Sequence, residues 1–319
     1  MPLYFCLANH NNKAEMHPRN KHKGGYNFDQ LTERWPQLKS YLAKNKKGLP
    51  TINFHDEQAV KCLNLALLIT HYQLDYWDIP GQYLCPAVPG RADYIHHLAD
   101  LLASANKGKL PRGQHIRCLD LGTGANLIYP IIGTKEYGWS FVGSEVDQQS
   151  VQSAKKIIDQ NSRLKDIVSM RLQGDRKSIL VGVVQPGEYF DVVCCNPPFY
   201  TSAQEAHKEN ERKRTGLGAP RKAKRNFGGQ ANELWFPGGE RAFVGQLIRE
   251  SSSYPTQCYW YTTLVAREAS LKPLEKQLQQ LPITDLRIIP MTQGNKTSRI
   301  LAWTFLSKKQ QQAWQGARW

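Results

Sequence analysis

The feature that most constrains this chain is an apolar run that is stopped within one residue. Val192-Val193-Cys194-Cys195 has the unbroken apolar character of a strand buried on both faces. Asn196-Pro197-Pro198-Phe199-Tyr200 follows it directly. Two consecutive prolines carry no backbone donors and restrict the residue before them, so neither strand nor helix continues through them. The strand must end on a rigid shelf. In an open α/β sheet, ligands bind at the carboxyl ends of the strands.

The chain around this shelf reads as such a sheet. Strands are expected at residues 115–121, 139–145, 167–172, 190–195 and 258–265. Helices are expected at 126–135 (interrupted near Pro130), 148–160, 239–250 and 270–280. Segments 285–289 and 300–305 flank the turn signal Gln293-Gly294-Asn295 and should pair antiparallel. Strands alternating with helices imply a parallel sheet covered on both faces. The expected fold is therefore α/β and Rossmann-like: a mostly parallel seven-stranded sheet with an antiparallel edge hairpin, behind an N-terminal helical extension. Residues 1–27 read as a basic flexible arm and 28–110 as the helical region. In the latter, Asp56 caps a helix carrying Val60, Leu63 and Leu67, a Pro/Gly-rich connector spans 80–89, and a second helix runs over 93–104. Residues 111–306 form the main domain, with a polar basic loop at 201–237, and 307–319 a C-terminal tail.

The first strand of the main domain, ending Leu119-Asp120-Leu121, runs into Gly122-Thr123-Gly124-Ala125-Asn126. Small residues let the backbone pass close to a nucleoside and aim the next helix at it. Glu145 closes the following strand 23 positions after Gly122, near the roughly 20 expected for a carboxylate on ribose hydroxyls. A dinucleotide site would place Gly or Ala three residues after Gly124, to admit a pyrophosphate. Leu127 stands there, which disfavours NAD and suits S-adenosylmethionine, a nucleoside without phosphate.

The shelf then acquires a chemistry. An aromatic amine is a poor nucleophile because its lone pair is delocalised into the ring. The Asn196 side-chain oxygen and the Pro197 carbonyl can accept its two N–H bonds, localise the lone pair and aim it at a sulfonium methyl. Pro198 stiffens the turn, and Phe199 is placed to stack on the base. The motif alone does not separate adenine N6, guanine N2, cytosine N4 or a glutamine amide.

Charge points to the partner. The 319 residues carry a net charge of +15 with 42 Lys and Arg. Segments 1–50 and 201–230 contribute +6 and +5 of it. Basic segments on either side of the candidate site in sequence fit a polyanion. The seven cysteines include no C-x-x-C pair and no His cluster sits at zinc spacing, so no metal is expected. No apolar run approaches the roughly 18 residues of a membrane span. Residues 1–8 lack a basic segment ahead of an apolar core, so a cytoplasmic, monomeric protein is expected.

With these residues in place the chain resembles, from about Met16 to Phe305, the RlmF family of 23S ribosomal RNA adenine-N6 methyltransferases, relatives of the eukaryotic methyltransferase-like 16 enzymes. The resemblance rests on Met16-His17-Pro18-Arg19-Asn20-Lys21, on Ile79-Pro80 with Pro86-Ala87-Val88-Pro89-Gly90-Arg91-Ala92-Asp93, and on 119–125. It continues through Asn196-Pro197-Pro198-Phe199, Gly238-Gly239-Glu240 and Gln293-Gly294 to Ala302-Trp303. It implies S-adenosylmethionine as cofactor, contacted by Arg91 at the methionine carboxylate and by Asp120, Gly122, Gly124, Glu145, Ser178 and Asn196. It implies 23S rRNA as substrate, with Arg19, Lys21 and Lys23 of the arm and Arg212, Lys213, Arg214, Arg221, Lys222, Lys224 and Arg225 of the loop on its phosphates. A methyltransferase acting on protein glutamine or on rRNA guanine N2 shares the tetrad but not the need for basic segments. A non-catalytic RNA-binding module would not need the tetrad.

Overall fold

The computed structural model of the chain describes residues 16–81, 83–205, 234–293 and 296–319. Seven strands form one sheet: β3 (Arg117–Leu121), β4 (Ser140–Glu145), β5 (Val168–Leu172), β6 (Phe190–Cys195), β7 (Cys258–Val265), β8 (Asp285–Gln293) and β9 (Lys296–Thr304). Their order is β5-β4-β3-β6-β7-β9-β8. The first five are mutually parallel, and β9 runs antiparallel to both β7 and β8. This is the expected Rossmann-like sheet with its antiparallel edge hairpin. The hairpin strands extend well beyond 285–289 and 300–305, and turn residues 294–295 lie outside the described set. The sheet order reverses at β3 and β6, so their carboxyl ends, Leu121 and Cys195, open side by side at the crevice.

One core covers each face. α2 (Glu57–Tyr72), α3 (Val88–Ala105), α4 (Ile128–Tyr137) and α5 (Gln148–Asp159) bury one face with Cys118, Val192, Cys194 and Trp260. α6 (Gly239–Ser251) and α7 (Glu268–Gln279) bury the other with Leu119, Val193, Tyr261 and Trp303. The N-terminal region shares the core of the main domain: Phe28, Leu31, Leu63 and Leu67 belong to the first cluster.

Four other expectations are corrected. Within 28–78 the chain is not helical throughout. After α1 (Phe28–Arg34) a short antiparallel pair forms, β1 (Leu42–Lys44) with β2 (Pro50–Ile52). The Asn45 side chain accepts the Lys47 and Leu49 N–H groups, and Gly48 adopts a positive φ, so the intervening turn is built by local chemistry. α3 starts at Val88 rather than 93, with Pro89 in its first turn, where a missing N–H costs nothing. The same reason keeps α4 whole: Pro130 stands third in the helix, before any intrahelical donor is needed.

Of the arm, residues 1–15 lie outside the described set, while Met16 onward is packed on α3 and α4. His17 N–H donates to Asp93, Asn20 Nδ2 to the Pro89 carbonyl, and His17, Asn20 and His22 are buried. The C-terminal residues form α8 (Lys308–Arg318), opened by a reciprocal Ser307–Gln310 capping box. Its Trp314 indole, the Arg318 guanidinium and the Trp319 indole all donate to Asp191, a carboxylate fully buried in β6.

Candidate active site

The β3 turn is built as its residues suggest. Gly122 and Gly124 take φ of 70° and 66°, a region open to glycine at little cost. The Gly122 and Thr123 N–H groups both donate to the Ser144 carbonyl at 3.0 Å, tying the β3 and β4 tips together. The Glu145 carboxylate folds back on this backbone, taking the Gly124 N–H at 3.0 Å and those of Val146 and Asp147 at 2.8 and 3.2 Å. Burial raises its pKa, and those three donors pull it back. A carboxylate has about four acceptor positions, so one remains for a ligand hydroxyl.

Beside this turn lies a cleft with a volume of about 500 Å³. Gly122, Gly124, Glu145, Arg91, Ser178, Asn196 and Pro198 all line it, so residues spread over more than one hundred sequence positions converge. Arg91 stands in the first turn of α3. It donates to the Tyr129 hydroxyl at 3.0 Å, with its guanidinium 5.6 Å from that ring's centroid. Ser178 donates to Asp175 at 2.7 Å. The Asn196 Oδ1 is buried and finds no hydrogen-bond partner among the described residues.

Three expected site residues are not part of the cleft's lining. Asp120, 1% exposed, lies beneath the turn and does not line the cleft. It is held there by the pairing of β3 with β4 and β6, opposite Gly143 and Cys194, with the Cys194 thiol donating to its Oδ1 at 3.5 Å. Burial pushes its carboxyl up to about 7, with help from Glu145 and opposed by Thr123 and Cys194. Pro197 is buried and Phe199 half-buried, and neither lines the cleft. Among the expected RNA contacts, Arg19 pairs with Asp100 at 2.7 Å and Lys21 with Glu136 at 2.6 Å. Both ion pairs help to hold 16–22 on α3 and α4, and the two cations remain partly exposed. Lys23 is exposed. Arg212, Lys213, Arg214, Arg221, Lys222, Lys224 and Arg225 lie outside the described residues.

Of the other residues at the site, Trp235 and Phe236 showed in the sequence only as aromatics closing the basic loop, and Phe243, Tyr129 and Tyr94 carried no local signal. Trp235, Phe236 and Phe243 line the cleft, and Tyr129 holds Arg91. Tyr94, fully buried on α3, has a less visible part. Beyond Val193 the β6–β7 pairing stops, and side chains replace it. The Cys195 N–H donates to the Tyr94 hydroxyl at 3.3 Å, that hydroxyl meets Thr262 Oγ1 at 2.7 Å, and Thr262 donates to the Val193 carbonyl at 2.7 Å. The residue just before the shelf is thus fixed by α3, the helix that also carries Arg91. Tyr94→Phe should lower kcat of the methyl-transfer reaction roughly tenfold, one lost buried hydrogen bond, with cofactor affinity unchanged by calorimetry. Equal losses in kcat and affinity would show a general loosening of α3 instead.

This geometry can be set beside known proteins. A family model described as RNA methyltransferase matches residues 10–307. The chain belongs to that family. It is 49% identical over 309 residues to the ribosomal RNA large subunit methyltransferase F of Cytophaga hutchinsonii, covering 96% of each chain. It is 47% identical to the protein of the same name from Photobacterium profundum, again over 96% of each. Among solved structures, the family fold is shared by the hMettl16 catalytic domain in complex with MAT2A 3'UTR hairpin 1. That match has a TM-score of 0.77 and 32% identity, over 92% of this chain and 96% of that one. The N-terminal domain of human METTL16 in complex with SAH matches with a TM-score of 0.72 and 29% identity, over 92% and 99%. No helix among the described residues of this family member is long and apolar enough to cross a membrane.

Proposed function

We propose that this RNA methyltransferase uses S-adenosylmethionine to methylate the N6 amine of an adenine in the 23S RNA of the large ribosomal subunit. The observation that carries the reading is the buried Asn196 Oδ1, without a hydrogen-bond partner among the described residues, on a residue at the tip of β6 that lines the same cleft as Glu145 and Arg91. A buried acceptor left unpaired costs about 1–3 kcal/mol, so a ligand donor is expected to meet it. The names of the relatives support ribosomal RNA as substrate, and the SAH and RNA-hairpin complexes of METTL16 support the cofactor and an RNA partner.

The residues present fit the cofactor. Glu145 keeps an acceptor position for a ribose hydroxyl, and the Arg91 fork suits a carboxylate. Leu84, Pro86 and Ile179 give the cleft apolar walls for an adenine. When bound, the cofactor supplies an electrophilic methyl on a sulfonium. The chain's own part is positioning. Asn196 Oδ1 and the Pro197 carbonyl accept the two amine hydrogens and hold the lone pair out of conjugation. The two prolines keep these acceptors fixed, and Phe199, half-buried outside the cleft, is offered to the face of an incoming base. Lys23 and the cations between 208 and 225 supply phosphate contacts.

The test is a transfer assay with labelled S-adenosylmethionine and a large-subunit rRNA transcript, followed by nuclease digestion and mass spectrometry of the nucleosides. Label in N6-methyladenosine is expected. Label in N2-methylguanosine, or in a glutamine of a release factor offered in parallel, would replace the reading.

A further inference from the structure

Asn196 Oδ1 is not the sole orphan at this site. The Trp235 indole Nε1 is also buried without a hydrogen-bond partner among the described residues, and Trp235 lines the same cleft. The two atoms are of opposite kind: an amide oxygen accepts, and an indole N–H can only donate. Buried donors in folded proteins are almost always paired, so an unpaired one on a residue that lines a ligand cleft points to an acceptor on the ligand.

The backbone says which ligand. Trp235 is stitched to the segment just past the shelf: the Tyr200 N–H donates to the Leu234 carbonyl and the Phe236 N–H to the Tyr200 carbonyl, both at 3.0 Å. Tyr200 and Trp235 thus form a parallel bridge four residues after Asn196. Downstream, the Gly239 N–H donates to the Phe236 carbonyl at 2.7 Å, and the Phe236 and Phe243 rings pack edge to face at 5.3 Å, which fixes the segment on α6. The nucleoside-binding side of the cleft is made by Gly122, Glu145 and Gln173 at the tips of β3, β4 and β5. Trp235, bridged to Tyr200 just past the shelf, lines the cleft with Asn196 and Pro198, where a substrate base would enter.

We infer that Trp235 Nε1 donates to a ring nitrogen flanking the target amine, so that Trp235 and Asn196 together read the amine-plus-acceptor edge of adenine. The inference rests on the adenine-N6 reading above. On adenine, the carbon bearing the amine is flanked by N1 on one edge and lies beside N7 on the other, and both are acceptors. Guanine puts a carbonyl oxygen where Asn196 offers an oxygen, and its N1–H faces a second donor. Trp235 thereby serves base discrimination, a property the tetrad does not supply.

The experiment first takes the methylated position from the nucleoside mapping. Large-subunit rRNA transcripts are then assembled by ligation with adenine, 1-deazaadenine or 7-deazaadenine at that position. Wild type should lose roughly 10- to 100-fold in kcat/KM on one of the two deaza bases, the usual range for one buried hydrogen bond left unmade. Trp235→Phe, which keeps an aromatic ring and removes the donor, should lose a similar factor on adenine and nothing further on that same deaza base. Cofactor affinity by calorimetry should be unchanged. The inference is overturned if wild type tolerates both deaza bases, or if Trp235→Phe matches wild type on adenine. It is also overturned if the deaza penalty persists undiminished in Trp235→Phe, or if that variant instead loses cofactor affinity. Absence of any N6-methyladenosine in the mapping step would overturn the adenine reading itself, a different result from these.

Discussion

Asn196→Ala is expected to lower methyl transfer by roughly 10³-fold while S-adenosylmethionine binds within a factor of three of wild type. The asymmetry follows from the site. The Asn196 Oδ1 makes no hydrogen bond with any described residue of the protein, so its removal breaks nothing internal. Cofactor binding is assigned to Glu145, Arg91 and the Gly122–Gly124 turn, whose bonds run to Gly124, Val146, Asp147, Ser144 and Tyr129 and never through Asn196. What is lost is an acceptor that matters most when the amine becomes pyramidal, and effects confined to the transition state fall on kcat. Single-turnover rates and calorimetry on the same preparation check both halves. A variant that turns over within tenfold of wild type, or that no longer binds cofactor, would remove Asn196 from this role.

The second large effect lies at the opposite edge of the sheet. Deletion of residues 308–319 should lower Tm by roughly 10 °C. α8 gives Asp191 four of its five hydrogen bonds, from Trp314, Trp319 and twice from Arg318, and only the Arg117 N–H at 2.7 Å would remain. Stripping the partners from a buried charge costs about 3–5 kcal/mol, and in a chain of 319 residues each kcal/mol moves Tm by about 1.5 °C, so this loss accounts for the larger part of the shift. The same cut uncovers Tyr259, which packs against Trp314 and Trp319. Asp191→Asn introduced into the shortened chain should recover part of the loss, because the stranded charge is gone. Calorimetric scans of the three proteins check this. An unaltered Tm after the deletion would mean that Asp191 is solvated from below and that α8 contributes little.

What could be read in advance was whatever the chain encodes within a few residues. The Gly122–Gly124 turn, Glu145 at its strand tip and the stop at Asn196-Pro197-Pro198 each depend on local backbone geometry, and all converge on one cleft. The strands were legible for the same reason, since buried parallel strands are near-continuous apolar runs. Tyr94 was invisible because its importance comes from partners far along the chain, Thr262 and Cys195, whereas Trp235 was legible only as an aromatic closing the basic loop, its place beside the shelf being set by Tyr200, 35 positions upstream. The charges of Arg19 and Lys21 were read as available to RNA. Their acidic partners, Asp100 and Glu136, lie 81 and 115 positions away, a pairing that no local pattern reports. α8 was different: Ser307 and Gln310 spelled a capping box in plain view, but only about three turns of mostly polar residues followed it. Its helicity is anchored by Asp191, more than one hundred residues upstream.

The Tyr200–Trp235 bridge has one further consequence, for how this protein can diverge. Because chain departs and returns at adjoining points, everything between them is an excursion whose ends are already joined. Lengthening such an excursion costs only about 0.6 kcal/mol per doubling, and none of that strain reaches the prolines at its root. Homologous enzymes can therefore lengthen, shorten or recharge that stretch to suit different nucleic acids, while the chemistry at its base stays as it is.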